Sequence, residues 1–156
     1  MQYIQAAIKN KMDEGCIFCT KPQVDEDRKN FILIREKTCF AMMNLFPYNP
    51  GHLMVAAYKH TGELDDLTET ELADLMLLTR RCKRLLKAVI APEAFNIGMN
   101  LGRIAGAGFA DHVHIHIVPR WNGDTNFMPV LGETKVISEG LDPLYQRLKA
   151  GVANLA

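Results

Sequence analysis

The sequence lacks an excess of charge of either sign. Its 156 residues contain 18 Lys and Arg against 18 Asp and Glu, and its pI is near 7.0. This balance argues against broad electrostatic binding to nucleic acid or to an anionic membrane surface, but it leaves room for a local phosphate site. The chain also lacks an apolar run of membrane-spanning length and a signal-peptide layout at its start. We therefore expect a cytoplasmic protein with neither a nucleic-acid partner nor a membrane partner.

Cysteine is scarce, with four in the whole chain, which is too few for a disulfide scaffold of this size. Two of them, Cys16 and Cys19, are spaced as in zinc sites and in redox pairs. A redox pair would be followed at once by a helix, whereas Lys21-Pro22 and a charged loop follow here. The pair therefore indicates half of a metal site, whose other two ligands must come from elsewhere.

The chain does have five histidines, and three of them alternate with apolar β-branched residues over 112–118. Strict alternation predicts a half-buried strand, on which His112, His114 and His116 point to one face. Like charges disfavour one another, so at least one of the three imidazoles is expected to be neutral at about pH 7. A neutral imidazole is a nucleophile, a base or a metal ligand, so this stretch indicates chemistry rather than packing.

Strands are predicted on both sides of one long helix. Alternation and short apolar runs predict strands over 31–35, 39–43, 52–57 and 95–101. Thr68 and Glu71 form a capping-box pattern that opens the helix, and Pro92 ends it. The apolar stripe predicted for this helix comprises Leu72, Leu75, Met76, Thr79, Cys82, Leu85, Leu86 and Val89.

This order of elements predicts an α+β fold with an antiparallel sheet and with short helices over 1–15 and 142–149. The length suits one domain with a proper core and is too short for two. We expect a single domain over 1–156, with a core at 16–121, an N-terminal helical arm at 1–15 and a C-terminal extension at 122–156.

The histidine stretch and its surroundings resemble the histidine triad (HIT) family. The pattern of that family alternates three histidines with apolar residues, and residues 112–118 fit it in full. The match extends to Asn44, Pro50-Gly51-His52, Asn100, Gly102, Ala105, Gly106 and Pro119-Arg120. The resemblance covers roughly residues 16–121. It implies a HIT-like fold with about five strands in the sheet, usually assembled as a homodimer.

The resemblance implies nucleotidyl transfer. Members of the family bind a nucleoside phosphate and attack its α-phosphorus with the middle histidine, which is His114 here, to form a covalent nucleotidyl-histidine. His116 and His52 would lie beside the phosphates and stabilise their charge. His112 would support the triad from one end.

The implied substrate is an adenosine-containing dinucleoside polyphosphate such as diadenosine tetraphosphate. Asn44 would hold its ribose, and Asn100 would touch its phosphate chain. Hydrolases of the fragile-histidine-triad branch place Gln directly after an Ala-Gly step, whereas here Ala107 and Gly108 follow Gly106 and the loop is longer. The longer loop resembles bacterial members that use phosphate as the acceptor, and its backbone N–H groups could bind that phosphate. The acceptor, phosphate or water, stays open.

Several bacterial members of the family also carry a structural zinc ion. The matching positions here are Cys16, Cys19, His60 and His112. Two thiolates and two imidazoles suit a closed tetrahedral site with no position left for water, so the zinc would be structural. No organic cofactor is expected.

Three alternatives to this function remain open. The chain could hydrolyse nucleoside phosphoramidates or adenylylated metabolites, or it could be a zinc-stabilised nucleotide-binding module without significant catalysis. It could also be a metalloenzyme in which all three triad histidines hold one catalytic metal. The motif offers no obvious carboxylate base apart from Asp111, which argues against this last alternative.

Overall fold

The computed structural model describes residues 15–125 and 139–155. Within these residues a single antiparallel sheet has the strand order β1-β2-β3-β5-β4. The strands are β1 (Ile32–Arg35), β2 (Cys39–Met43), β3 (Leu53–Ala57), β4 (Ala94–Met99) and β5 (His114–Arg120). The helices are α1 (Ile17–Thr20), α2 (Asp27–Asn30), α3 (Glu69–Ile90) and α4 (Leu141–Val152). The predicted α+β fold with an antiparallel sheet of about five strands is confirmed.

Helix α3 begins with the predicted capping box. The Glu71 N–H donates to the Thr68 hydroxyl at 3.2 Å, and the Thr68 N–H donates to the Glu71 carboxylate at 2.8 Å. The buried side of the helix comprises Leu75, Leu78, Thr79, Cys82, Leu85 and Leu86. Placing Met76 in this stripe was wrong, because Met76 is 57% exposed. It lies one residue, about 100° of helix, beyond Leu75 and outside the stripe that Leu78 continues.

The sheet separates two apolar layers. One face packs against α3 and α4 and forms the larger core, to which Val113, Ile115 and Ile117 contribute. The other face carries a smaller cluster built from Phe18, Ile32, Phe40, Met42, Met54 and Ala56. His114 pairs with Ala56 and His116 with Met54 of β3, so these two histidines lie on the second face.

The histidine strand begins at His114 and ends at Arg120, two residues later at each end than the predicted 112–118. His112 lies in the turn that leads into it, where the His112 N–H donates to the Phe109 carbonyl at 3.3 Å. The side chain of His112 contacts His60, with their Nδ1 atoms 3.2 Å apart. His112 is therefore set apart from the other two histidines of the triad.

The terminal segments are described only in part. The predicted arm at 1–15 lies outside the described residues except for Gly15, and so do residues 126–138 and 156 of the predicted extension at 122–156. Helix α4 is longer than the predicted 142–149. The single domain over 1–156 and its boundaries stay predictions. No helix in the described part of the chain is long and apolar enough to cross a membrane.

Candidate active site and metal cluster

The ring of His114 is held in one tautomer at the start of β5. Its Nδ1 atom lies 2.8 Å from the backbone carbonyl oxygen of His112. A carbonyl oxygen can only accept a hydrogen bond, so Nδ1 carries a proton, and in the neutral ring the lone pair therefore lies on Nε2. His114 is 4% exposed. In its neutral form the ring is therefore a buried nucleophile of fixed orientation.

A second chain of hydrogen bonds sets the protons of His52 and His116. The Tyr48 N–H donates to Nδ1 of His52 at 3.1 Å, so the proton of a neutral His52 lies on Nε2. That Nε2 lies 2.9 Å from Nδ1 of His116 and donates to it. The proton of His116 is consequently on its own Nε2, from which it can donate to a ligand.

Burial keeps His116 uncharged. Burial, followed by the neighbouring His114, lowers the pKa of His116 to about 4. Burial also lowers the pKa of His112, against a smaller raising effect of its hydrogen bond to Ala57. At about pH 7 both rings are therefore neutral, as expected for at least one of the triad.

Four side chains from three separate segments form a compact donor cluster: Cys16, Cys19, His60 and His112. Their ligand atoms all lie within 4.8 Å of one another. Sγ of Cys16 lies 3.3 Å from Nδ1 of His112, and Sγ of Cys19 lies 3.3 Å from Nδ1 of His60. A tetrahedral zinc ion with ordinary bond lengths would separate such sulfur and nitrogen ligands by about 3.6 Å. The donor set therefore fits a zinc ion in both chemistry and size.

The surroundings of the cluster also suit a cation. Nε2 of His112 donates to the Ala57 carbonyl at 2.9 Å, which leaves the Nδ1 lone pair pointing at the thiols. Helix α1 follows Cys16, whose carbonyl accepts the Cys19 N–H at 3.0 Å, so the turn holds both thiols on one side. Burial, followed by the Cys16 thiol, raises the pKa of the Cys19 thiol to about 11, and a bound cation would reverse this shift.

The loop between β2 and β3 carries Asn44 and His52. The Asn44 N–H donates to the His52 carbonyl at 2.9 Å, and the Asn44 side-chain oxygen accepts the Phe46 N–H at 2.9 Å. The Asn44 amide nitrogen lies 3.4 Å from Nδ1 of His52. Gly51 has a φ of +76°, and a Cβ there would lie 2.6 Å from Cδ1 of Ile90. The loop therefore needs glycine at this position to bring His52 onto the sheet.

The glycine-rich loop between β4 and β5 lies beside the triad, because Met99 at the end of β4 pairs with Ile115. The Gly106 N–H donates to the Arg103 carbonyl at 3.0 Å. Within residues 15–125 and 139–155, the N–H groups of Ala107 and Gly108 donate to no acceptor. These two groups are therefore among those of the loop that are available to bind an anion.

A groove of about 930 Å³ opens beside His116. Its lining includes Tyr48, Asn96, Asn100, Arg120 and Trp121. Arg120 donates to the carboxylate of Asp124 at 2.7 and 2.8 Å, which holds the pKa of Asp124 well below its usual range. This ion pair fixes the turn that follows β5.

The HIT domain family model matches residues 25–123, which is more than half of the chain. The chain belongs to the HIT domain family. A Mycobacterium tuberculosis protein named AP-4-A phosphorylase is 47% identical over 122 residues, which are 78% of this chain and 62% of that protein. A Schizosaccharomyces pombe asymmetrical bis(5'-nucleosyl)-tetraphosphatase is 34% identical over 125 residues, which are 80% of this chain and 61% of that protein.

A solved structure supports the HIT fold. The Zn-bound histidine triad family protein of Mycobacterium smegmatis matches with a TM-score of 0.74 at 23% identity, over 91% of this chain and 96% of that one. At this identity the likeness concerns the fold alone. The chain spans 62% and 61% of the lengths of the two relatives named above.

The predicted site residues of this HIT domain fall into three places. The predicted metal ligands, Cys16, Cys19, His60 and His112, form the donor cluster. His114 and His116 on β5, His52 just before β3 and Asn44 just after β2 form one continuous row of contacts. Asn100 lines the groove, and Gly106, Ala107 and Gly108 lie in the adjoining loop. The three triad histidines form no metal-binding group among the described residues, which argues against the catalytic-metal alternative.

Four residues near the site, Phe18, Tyr48, Asn49 and Asp124, were not predicted to have a role. Phe18 is fully buried, and its ring stacks on that of His114 with centroids 4.6 Å apart. The Tyr48 ring lies 4.7 Å from that of His52. Asn49 donates to Asp124 at 2.7 Å and ties the His52 loop to the turn after β5. Among these four residues, the sequence indicated a role only for Phe18, through its position between the two cysteines.

Proposed function

We propose that this chain cleaves dinucleoside polyphosphates of the diadenosine tetraphosphate class at an α-phosphate, through a covalent nucleotidyl intermediate on His114. The observation that carries this proposal is the pair of hydrogen-bond chains that fix the tautomers of His114 and His116. The names of the two relatives, a phosphorylase and a tetraphosphatase of such compounds, support the substrate class.

In the first step, Nε2 of His114 attacks the α-phosphorus. A nitrogen–phosphorus bond forms, and the bond from phosphorus to the bridging oxygen breaks, so the distal nucleoside polyphosphate leaves with the bonding electron pair. Nε2–H of His116 donates to the phosphate oxygens and stabilises their charge. The Nδ1–H of His114 stays on the His112 carbonyl and stabilises the positive charge that the ring acquires.

In the second step, an acceptor oxygen attacks the same phosphorus, and the electron pair of the nitrogen–phosphorus bond returns to Nε2 of His114. Phosphate as the acceptor gives a nucleoside diphosphate, and water gives a nucleoside monophosphate. The acceptor loses its proton to solvent. We favour phosphate, because the N–H groups of Ala107 and Gly108, in the loop that leads into the triad, could bind it.

Substrate binding follows from the same geometry. Asn44 lies beside His52, and we assign it to hold the ribose, while His52 would orient His116 toward the phosphates. Asn100 borders the groove, and we assign it to contact the phosphate chain together with Gly106 and the rest of its loop. An adenosine-containing dinucleotide is the partner that we propose.

We also propose that Cys16, Cys19, His60 and His112 hold a structural zinc ion. All four tetrahedral positions would be taken by protein atoms, so the ion would lend positive charge and rigidity and no open site. The Mycobacterium smegmatis structure, which is that of a Zn-bound family member, supports the choice of metal. Within the described residues, β4 is an edge strand with Ile97 45% exposed, which supports a homodimer that continues the sheet.

The test is incubation of the purified protein with diadenosine tetraphosphate, with and without inorganic phosphate, and chromatographic separation of the products. ADP and ATP formed only with phosphate would identify a phosphorylase, and AMP and ATP formed without it a hydrolase. His114→Ala should abolish either reaction, and mass spectrometry should detect AMP bound to the wild-type protein. Wild-type turnover in His114→Ala would overturn the mechanism, and AMP binding without any cleavage would favour the binding module.

A further inference from the structure

We propose that Phe18 is a positioning residue for His114, and that it packs the Cys-His cluster and the nucleophile into one unit. This inference rests on the proposed function, because it takes His114 as the nucleophile. The ring of Phe18 stacks on the ring of His114 with centroids 4.6 Å apart and an interplanar angle of 30°. Phe18 is 0% exposed, so this face of His114 is closed to water.

The stack supplies a restraint that the hydrogen bond of His114 lacks. Nδ1 is held at 2.8 Å from the His112 carbonyl, but a ring held at one atom can still tilt about that contact. Phe18 closes one face, and the His116 ring meets His114 edge-on with centroids 4.8 Å apart. Together these contacts fix the direction of Nε2, and a misplacement of about 1 Å at a reacting atom can cost about 100-fold in rate.

The position of Phe18 is tied to the Cys-His cluster. It lies in α1 between Cys16 and Cys19, and its ring also contacts that of His112 at 5.1 Å. Phe109, at the end of the glycine-rich loop, packs edge-on against it at 5.6 Å. The two cysteines therefore flank the helix turn from which the Phe18 side chain packs onto the sheet.

Two routes therefore lead from the cluster to His114. One runs from the cysteine turn through the Phe18 ring to the face of the His114 ring. The other runs through His112, whose Nδ1 belongs to the cluster and whose carbonyl accepts a hydrogen bond from Nδ1–H of His114. The geometry of the nucleophile thus depends on residues that touch neither the substrate nor the reacting atoms.

The experiment compares Phe18→Leu with Phe40→Leu in the zinc-loaded 156-residue chain. Both phenylalanines are 0% exposed and belong to the same apolar cluster, but the ring of Phe40 stacks on Tyr58 with centroids 5.3 Å apart. The two substitutions remove the same atoms at matched burial. The readouts are the nitrogen-15 imidazole spectrum of His114, the zinc content, and kcat and KM for diadenosine tetraphosphate.

We expect Phe18→Leu to keep its zinc, to shift and broaden the His114 imidazole signals, and to lower kcat about tenfold with KM unchanged. Phe40→Leu should keep the wild-type His114 spectrum and kcat. An unchanged His114 spectrum in Phe18→Leu would overturn the proposal. Equal changes in both variants would also overturn it, because the effect would then be general loosening of the apolar cluster.

A second variant, Phe18→Met, keeps most of the buried volume and removes the aromatic stack. We expect the same change in the His114 spectrum as with leucine. Loss of zinc from both variants would overturn the proposal, because Phe18 would then serve the metal site alone. If the wild type cleaves no dinucleotide, the proposed function fails, and the His114 spectra still decide whether Phe18 positions that ring.

Discussion

Nε2 of His52 lies 2.9 Å from Nδ1 of His116, and this contact decides which nitrogen of His116 carries its proton. The Tyr48 N–H sets the tautomer of His52. Nε2–H of His52 then donates to Nδ1 of His116 and sets the tautomer of that ring. The tautomer of His116 is thus set by a backbone amide of the loop between β2 and β3.

Removing His52 should therefore weaken catalysis through His116. In His52→Ala, His116 loses the donor that fixes its tautomer, and we expect kcat to fall about 10- to 100-fold. Steady-state kinetics of His52→Ala, His116→Ala and the double variant measure the coupling. The losses should be less than additive. Fully additive losses would show that the two rings act independently.

Acid should destabilise the protein partly through His116. Its pKa is about 4 when folded against 6.5 for the ordinary group, so the unfolded chain binds the proton more readily. The free energy of unfolding should therefore fall as the pH falls from about 6.5 to about 4, with His116 contributing on the order of 2 kcal/mol. Above about 6.5 its contribution is constant.

The check is denaturant unfolding of wild type and His116→Gln across this pH range. The variant should lose less stability on acidification, because glutamine takes up no proton. Equal slopes for the two proteins would contradict the assignment. Loss of metal in acid affects both proteins alike and cancels in the comparison.

Removing the metal should cost stability. A chelator, or Cys19→Ala, should remove about one zinc per chain and lower the free energy of unfolding by several kcal/mol. Cys82→Ala is the control, because Cys82 is fully buried against the sheet and lies outside the donor cluster. Elemental analysis and thermal melts give the two readouts. Zinc retained at full occupancy in Cys19→Ala would contradict the ligand set.

The glycine-rich loop should set the affinity for the acceptor. Ala107→Pro removes one of the two N–H groups proposed to bind phosphate, and we expect the KM for phosphate to rise about tenfold. Ile104→Ala is the control, because that side chain of the same loop is fully exposed. Initial rates at varied phosphate concentration decide the matter. An unchanged KM in Ala107→Pro would place the acceptor elsewhere.

The strands and the long helix were predictable because their signals are local. Alternation marks β5, and Thr68 with Glu71 marks the start of α3. The error at Met76 arose because position 76 borders the apolar stripe and only packing decides which side of the border is buried. Local pattern therefore predicts the elements and not their exact faces.

The candidate site was predictable only in part. The spacing of Cys16 and Cys19 indicated a metal, but His60 and His112 could be named only through the family resemblance, since tertiary structure brings the segments together. The contact of Phe18 with His114 was not predictable from the sequence, because it depends on how α1 packs on the sheet. The tautomer of His116 depends on a backbone N–H, which no side-chain motif records.

His112 serves the two sites with different groups, because its imidazole belongs to the Cys-His cluster and its backbone carbonyl accepts the hydrogen bond from His114. Side-chain mutagenesis can test only the first of these roles. Every substitution at this position removes the imidazole, yet every substitution keeps the carbonyl that accepts the hydrogen bond from His114. An alanine scan would accordingly report only the effect of removing the His112 imidazole from the Cys-His cluster. Replacing Val113 by its α-hydroxy acid would instead turn the peptide bond after His112 into an ester. The oxygen would become a poorer acceptor for the hydrogen bond from His114 while all side chains remained, although the Val113 N–H that donates to the Thr61 carbonyl at 2.7 Å would be lost as well.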